Sequence, residues 1–122
     1  MATVLVVDDE EPILGILAEV IEEMGHQVLR AMNGREALAL IRSAPPDLVL
    51  TDVMMPYLNG LDLCRAIKAD HNTAHIVVLL MSAVPVDRRG DDARADGFIH
   101  KPFSLEEVET AVAEGLNARA AR

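Results

Sequence analysis

Apolar runs that stop at a polar residue recur along this chain. Val4-Leu5-Val6-Val7 ends in Asp8-Asp9-Glu10, and Leu48-Val49-Leu50-Thr51 ends in Asp52. The run from Ile76 to Met81 ends in Ser82, and Gly97-Phe98-Ile99-His100 ends in Lys101. Short apolar runs bounded in this way read as buried strands. Between them, apolar residues return at helical spacing, as in Ile13, Leu14, Leu17, Val20, Ile21 and Met24. Alternating strand and helix signals predict a parallel α/β sheet with helices on both faces.

Local signals set the expected boundaries. The first strand covers 3–7 and the first helix about 12–24, with Pro12 suited to its first turn and Gly25 to its end. A second strand covers 27–31. Asn33, with Glu36 three residues on, has the spacing of a capping box for a second helix ending near 42. A third strand at 47–51 leads through Met54-Met55-Pro56 to a helix over 61–69. A fourth strand covers 76–81 and a fifth 98–100. Ser104 and Glu107 repeat the capping spacing for a last helix, whose apolar face is Leu105, Val108, Val112 and Leu116, and whose tail frays from Asn117. The segment 84–96, with Pro85 and Arg88-Arg89-Gly90, has poor helical period and predicts a short or irregular fourth helix.

Composition narrows the function. A chain of 122 residues makes one domain, and 51% hydrophobic residues supply a core without disulfides. A net charge of −9 disfavours direct binding of a nucleic-acid backbone by this domain. One Tyr, two Phe and no Trp leave little to stack on single strands. No apolar run approaches membrane-spanning length, and the start lacks the basic region of a signal peptide. The single Cys64 fits a reducing compartment, so a cytoplasmic location is expected, with Cys64 packed as a small apolar residue. The histidines His26, His71 and His75 read as surface residues.

In a parallel sheet the four polar strand ends come to one edge, where open α/β folds bind ligands. Carboxylates a few ångströms apart repel by roughly 4 kcal/mol per pair at an effective dielectric near 20. Gathering Asp8, Asp9 and Asp52 therefore calls for a cation. Hard oxygen ligands suit Mg²⁺, or Mn²⁺ in its place, bridging to a phosphate. Asp52, alone at its strand end, can serve as a nucleophile toward phosphorus. Lys101 can neutralise the transferring group, and Ser82 can donate a hydroxyl hydrogen bond to it.

With these residues in order, the chain resembles the receiver domain of two-component response regulators, of the chemotaxis-regulator kind. The resemblance runs over essentially the whole chain, through Asp8-Asp9, Asp52 with Met55-Pro56 and Gly60, Ser82-Ala83, and Lys101-Pro102-Phe103. It implies a flavodoxin-like doubly wound sheet of five parallel strands in the order 2-1-3-4-5, with five helices. It implies Asp52 as phosphoacceptor and Mg²⁺ held by Asp8, Asp9, Asp52 and the backbone carbonyl of Met54. Ser82 and Lys101 would contact the phosphoryl group, Phe98 would be the switch aromatic, and the Lys101–Pro102 peptide would be cis.

The implied donor is the phosphohistidine of a histidine kinase or phosphotransfer protein, or a small acyl phosphate. The implied receiver of the signal is an output domain or protein, docked on the face of the fourth helix, fifth strand and last helix. The domain would act as a monomer or weak phosphorylation-dependent dimer, and would catalyse only its own phosphorylation and dephosphorylation.

Some residues depart from the pattern. Phe98 stands where Tyr is usual, Ser82 where Thr is commoner, and His100 where an aliphatic is commoner. Ser82 and Lys101 are separated by a shortened interval of 19 positions. Three other readings compete. A phosphatase of the haloacid-dehalogenase type would use Asp8 as nucleophile with Glu10 two positions on. A flavodoxin would need a neutral phosphate loop where this chain is acidic. A degenerate receiver would serve only as a binding module.

Overall fold

The computed structural model describes residues 1–83 and 94–120. Its elements are β1 (Thr3–Val7), α1 (Glu11–Glu23), β2 (Gln27–Ala31), α2 (Gly34–Ser43), β3 (Leu48–Asp52), α3 (Gly60–Ala69), β4 (Val77–Ser82), β5 (Gly97–His100) and α4 (Leu105–Ala120). The strands form one sheet in the order β2-β1-β3-β4-β5, with every pair parallel. This is the doubly wound, flavodoxin-like order expected. Four helices occur among the described residues. The irregular helix expected within 84–96 falls mainly on residues outside them.

The sheet is buried on both faces because its strands alternate between two cores. Leu5, Val7, Val49, Val78 and Leu80 meet Ala37 and Ile41 of α2 and Leu63, Cys64 and Ile67 of α3. Their strand neighbours Val4, Val6, Leu48, Leu50, Val77, Leu79 and Met81 meet Leu14, Leu17 and Ile21 of α1 and Val108 and Val112 of α4. The period of two makes each central strand read as an unbroken apolar run. Cys64 is fully buried and acts as the small apolar residue expected.

The caps at Asn33 and Ser104 follow the sequence signals, and the structure adds one at Asn59. Asn33 Oδ1 accepts from the Glu36 N–H at 2.8 Å, and Asn59 Oδ1 accepts from the Asp62 N–H at 2.8 Å. Ser104 Oγ accepts from the Glu107 N–H at 3.1 Å, while Glu107 Oε1 accepts from the Ser104 N–H at 3.4 Å. Gly25 ends the α1 turn at φ 94°, a conformation costly for any other residue.

Three expectations need correction. β3 and β4 extend one residue further than their apolar runs, because Asp52 pairs with Met81 and Ser82 with His100 in the ladder. Backbone pairing does not stop where the side chain turns polar. The last helix does not fray at Asn117 but continues to Ala120, where Arg119 Nη2 meets Asp47 Oδ1 at 3.1 Å. His26 is not a bystander on the surface: its Nδ1 accepts from the Ala2 N–H at 3.1 Å.

A buried ion pair lies at the amino-terminal end of β4 and β5. Lys68 Nζ stands 2.9 Å from Asp96 Oδ2 and donates to the carbonyls of Ile76 at 2.6 Å and Ala74 at 3.1 Å. Asp96 Oδ2 also accepts from the Val78 N–H at 2.8 Å. The group fastens the end of α3 to the starts of both strands.

Candidate functional site

At the carboxyl edge of the sheet, β1 and β3 are neighbours, so Asp8 and Asp52 lie side by side. Asp8 is fully buried and Asp52 nearly so, while Asp9 is exposed. One carboxylate oxygen from each of the three lies within 4.8 Å of the others. The sequence-predicted acids are therefore brought together.

Lys101 follows β5 directly. Its backbone N–H donates to the Ser82 carbonyl at 2.9 Å, which fixes the root of the side chain. The ammonium then reaches across β4 to lie 3.2 Å from Asp52 Oδ2 and 3.6 Å from Asp8 Oδ2. The following Lys101–Pro102 peptide is cis, in agreement with the resemblance.

Only one oxygen of Asp8 is hydrogen-bonded. Its Oδ1 accepts from the Glu10 N–H at 2.9 Å, at the entry to α1. Its Oδ2 is buried with no hydrogen-bond partner. Burial pushes the Asp8 carboxyl above the usual carboxylate range, aided by Asp52 and Asp9, against the Glu10 N–H and Lys101. Burial works against the charge of Lys101, but Asp8, Asp52 and Glu10 outweigh it and raise its pKa. A buried oxygen with no hydrogen bond, only the Lys101 ammonium 3.6 Å away, beside two further carboxylates fits a hard divalent cation, which prefers oxygen ligands.

The remaining expected residues fall around this centre. Ser82 is buried at the tip of β4, next to the Lys101 backbone. Phe98, on β5 opposite Leu80, is half-buried and packs on the core shared with α2 and α3. Met54 lies two residues beyond Asp52 with its side chain exposed. Gly60 closes this loop, its N–H donating to the Val53 carbonyl at 2.9 Å. A Cβ on Gly60 would collide with the Asp52 carbonyl oxygen, so glycine is what lets α3 start against the site.

The sequence reading missed two contributors. Thr51 donates from Oγ1 to the Asp52 carbonyl at 3.0 Å, steadying the strand end. Arg35, at the start of α2, stacks over Tyr57 in the loop after β3, with 5.1 Å from Cζ to the ring centroid. No spacing rule links the latter two residues. Tyr57's backbone alone carries a signal, and only once φ is known.

This geometry defines a doubly wound α/β domain with an acidic cluster that could hold a metal ion and a lysine beside it. The family model for the response regulator receiver domain matches residues 4–113, and the chain belongs to that family. It is thus a receiver domain, the phosphorylation-dependent switch of response regulators. The chain is 42% identical over 106 residues to the response regulator MprA of Mycolicibacterium vanbaalenii, covering 86% of this chain and 46% of that protein. It is 38% identical over 109 residues to the phosphate regulon transcriptional regulatory protein PhoB of Pseudomonas aeruginosa, covering 87% and 48%. The chain thus spans about half the length of these relatives. The crystal structure of the chemotaxis response regulator CheY4 of Vibrio cholerae superposes with a TM-score of 0.88 at 28% identity, covering 95% of this chain and 99% of that one.

No helix among the described residues is long and apolar enough to cross a membrane. PhoB is named as a transcriptional regulator. The expectation of no direct nucleic-acid contact therefore concerns these 122 residues and does not extend to whole regulators.

Proposed function

We propose that Asp52 is the phosphoacceptor of this receiver. The observation that carries the reading is that Asp52 lies within 4.8 Å of both Asp8 and Asp9 and 3.2 Å from the ammonium of Lys101. A carboxylate oxygen of Asp52 attacks the phosphorus of a phosphohistidine. The P–N bond breaks, the imidazole leaves with its electron pair, and an acyl phosphate forms on Asp52.

Asp8, Asp9, Asp52 and the Met54 carbonyl would hold Mg²⁺, or Mn²⁺, which when bound neutralises charge on the transferring phosphoryl oxygens. Lys101 supplies further positive charge at Asp52 Oδ2. Ser82 donates its hydroxyl to a phosphoryl oxygen once the phosphate is in place. The domain acts on no other substrate: its chemistry is its own phosphorylation and dephosphorylation.

Phosphorylation replaces the single charge of the Asp52 carboxylate with a group of about two negative charges and strong acceptors. Ser82 and Lys101 make contacts that exist only in that state, and this difference drives the switch. Phe98 repacks as Ser82 moves, and the face that includes β5 and α4 is presented to an output partner. A histidine kinase or phosphotransfer protein supplies the phosphoryl group. The naming of PhoB favours a transcriptional output carried outside these residues.

The test is labelling with acetyl phosphate and Mg²⁺. The wild-type chain takes up one phosphoryl group, and Asp52→Asn takes up none. Full labelling of Asp52→Asn overturns the assignment.

A further inference from the structure

The loop between β3 and α3 is shaped from α2. Tyr57 sits at φ 69°, a left-handed conformation that bulky residues rarely adopt. Its side chain is 76% exposed, so burial does not offset that strain. What it has instead is the guanidinium of Arg35, stacked 5.1 Å from the ring centroid. The neighbouring residue, Gly34, brings the first turn of α2 against the same loop. A Cβ on Gly34 would collide with the backbone of Leu58. At its other end the loop is closed by the Gly60 N–H on the Val53 carbonyl. Strained backbone held by surrounding contacts beside a reactive centre is a form of pre-organisation.

We infer that Arg35 is a positioning residue for the cation and phosphoryl site. Through Tyr57 it holds residues 54–58 in the shape that lets the Met54 carbonyl complete the ligands of the cation. The inference rests on the reading of Met54 and the acidic cluster given under Proposed function. Arg35 itself touches neither the acids nor the phosphoryl group in this role.

The sign of the effect separates positioning from direct electrostatics. A positive side chain near a cation site repels Mg²⁺, so removing its charge would tighten binding. Loss of a strut that holds a ligand weakens binding. The two roles predict opposite changes.

The experiment is a calorimetric Mg²⁺ titration of the whole chain as wild type, Arg35→Gln, Tyr57→Gly and the double variant, with thermal melts alongside. Tyr57 is the only tyrosine and there is no tryptophan, so in wild type and Arg35→Gln its emission reports directly on the stacked ring. Arg35→Gln weakens Mg²⁺ about two- to five-fold, the scale of an exposed cation–π contact, with the melt unchanged. Its phosphorylation from acetyl phosphate returns to the wild-type rate at saturating Mg²⁺. Arg35→Lys, which keeps a cation over the ring, recovers part of the affinity. In the Tyr57→Gly background, where glycine takes the left-handed backbone without strain, Arg35→Gln has no further effect. Normal wild-type uptake with unchanged or tighter binding by Arg35→Gln overturns the inference alone. A wild-type chain that takes up no Mg²⁺ overturns the reading of the acidic cluster, and the inference with it.

Discussion

Lys101 and Asp52 come from separate strands and meet at 3.2 Å, with β4 lying between the strands that carry them. The same ammonium lies 3.6 Å from Asp8, so one cation is shared by two buried acids. Before phosphorylation it offsets their repulsion. On the proposed phosphorylation of Asp52 the phosphate would offer stronger acceptors, and the longer contact to Asp8 is the one expected to give way.

Lys101→Ala therefore separates binding from response. The variant still takes up Mg²⁺, since the three carboxylates remain. It loses the phosphorylation-induced change in spectrum or partner binding. Without metal it is less stable by about 1–3 kcal/mol, below the range for breaking a fully buried pair because Lys101 is partly exposed. Calorimetry and urea denaturation measure both. An undiminished phosphorylation response counts against the role given to Lys101.

Asp8→Asn stabilises the metal-free domain. The Asp8 carboxyl is raised above 3.8, so its charged form is disfavoured in the fold. Its contribution to stability is thus best below 3.8 and declines as pH rises through the folded value. Asparagine removes that decline while its Oδ1 still accepts from the Glu10 N–H. Lys101 behaves in the opposite range. Its raised pKa contributes stability fully below 10.5, and the contribution is lost as pH climbs through the folded value. Mg²⁺ at a hundred times its Kd stabilises the wild type by about 2.7 kcal/mol and Asp8→Asn by far less. Urea denaturation across pH, with and without Mg²⁺, checks each statement.

Gly60→Ala injures the site through its backbone. The new Cβ meets the Asp52 carbonyl and the Val53 Cα, neither of which can move without disturbing β3. A loss of about 2 kcal/mol in stability is expected, on the scale of strong single-site backbone effects. Slower uptake of phosphate from acetyl phosphate accompanies it. Asp62→Ala, two residues on and on the exposed side of the same first turn of α3, leaves the rate unchanged and serves as the control.

Asp96→Ala strands Lys68 in the interior and leaves the Val78 N–H without its acceptor. The expected cost is about 3–5 kcal/mol, as for other buried pairs broken on one side. Lys68→Met costs less, because an apolar chain of similar length fills the same channel and Asp96 is partly exposed. Neither substitution changes Mg²⁺ affinity in the folded fraction, since both lie at the opposite end of the sheet.

The strands were legible because each central one is buried on both faces and reads as continuous apolar sequence. Two helix starts were legible because Asn33 and Ser104 announce themselves by a side-chain acceptor and its three-residue spacing to a Glu, whereas the cap at Asn59 was not read from the sequence. The acids and Lys101 were legible because a charge at the end of an apolar run has few other uses. Ends set by pairing were not: nothing local tells that Asp52 and Ser82 stay in the ladder. Arg119 could not be seen to hold the last turn of α4, because Asp47 is far away in sequence. The same distance hid Lys68 and Asp96. Arg35 and Tyr57 were hidden by a turn conformation that side-chain identity does not announce.

The Lys68–Asp96 clamp has a mechanical consequence. It grips β4 and β5 at their starts, while Ser82 and Lys101, the proposed phosphoryl contacts, lie at their far tips. Strands fixed at one end cannot slide past each other; they can only pivot. On the proposed switch, displacement at the tips would become a swing about a fulcrum at Val78 and Asp96, largest where the signal enters and vanishing where the strands begin.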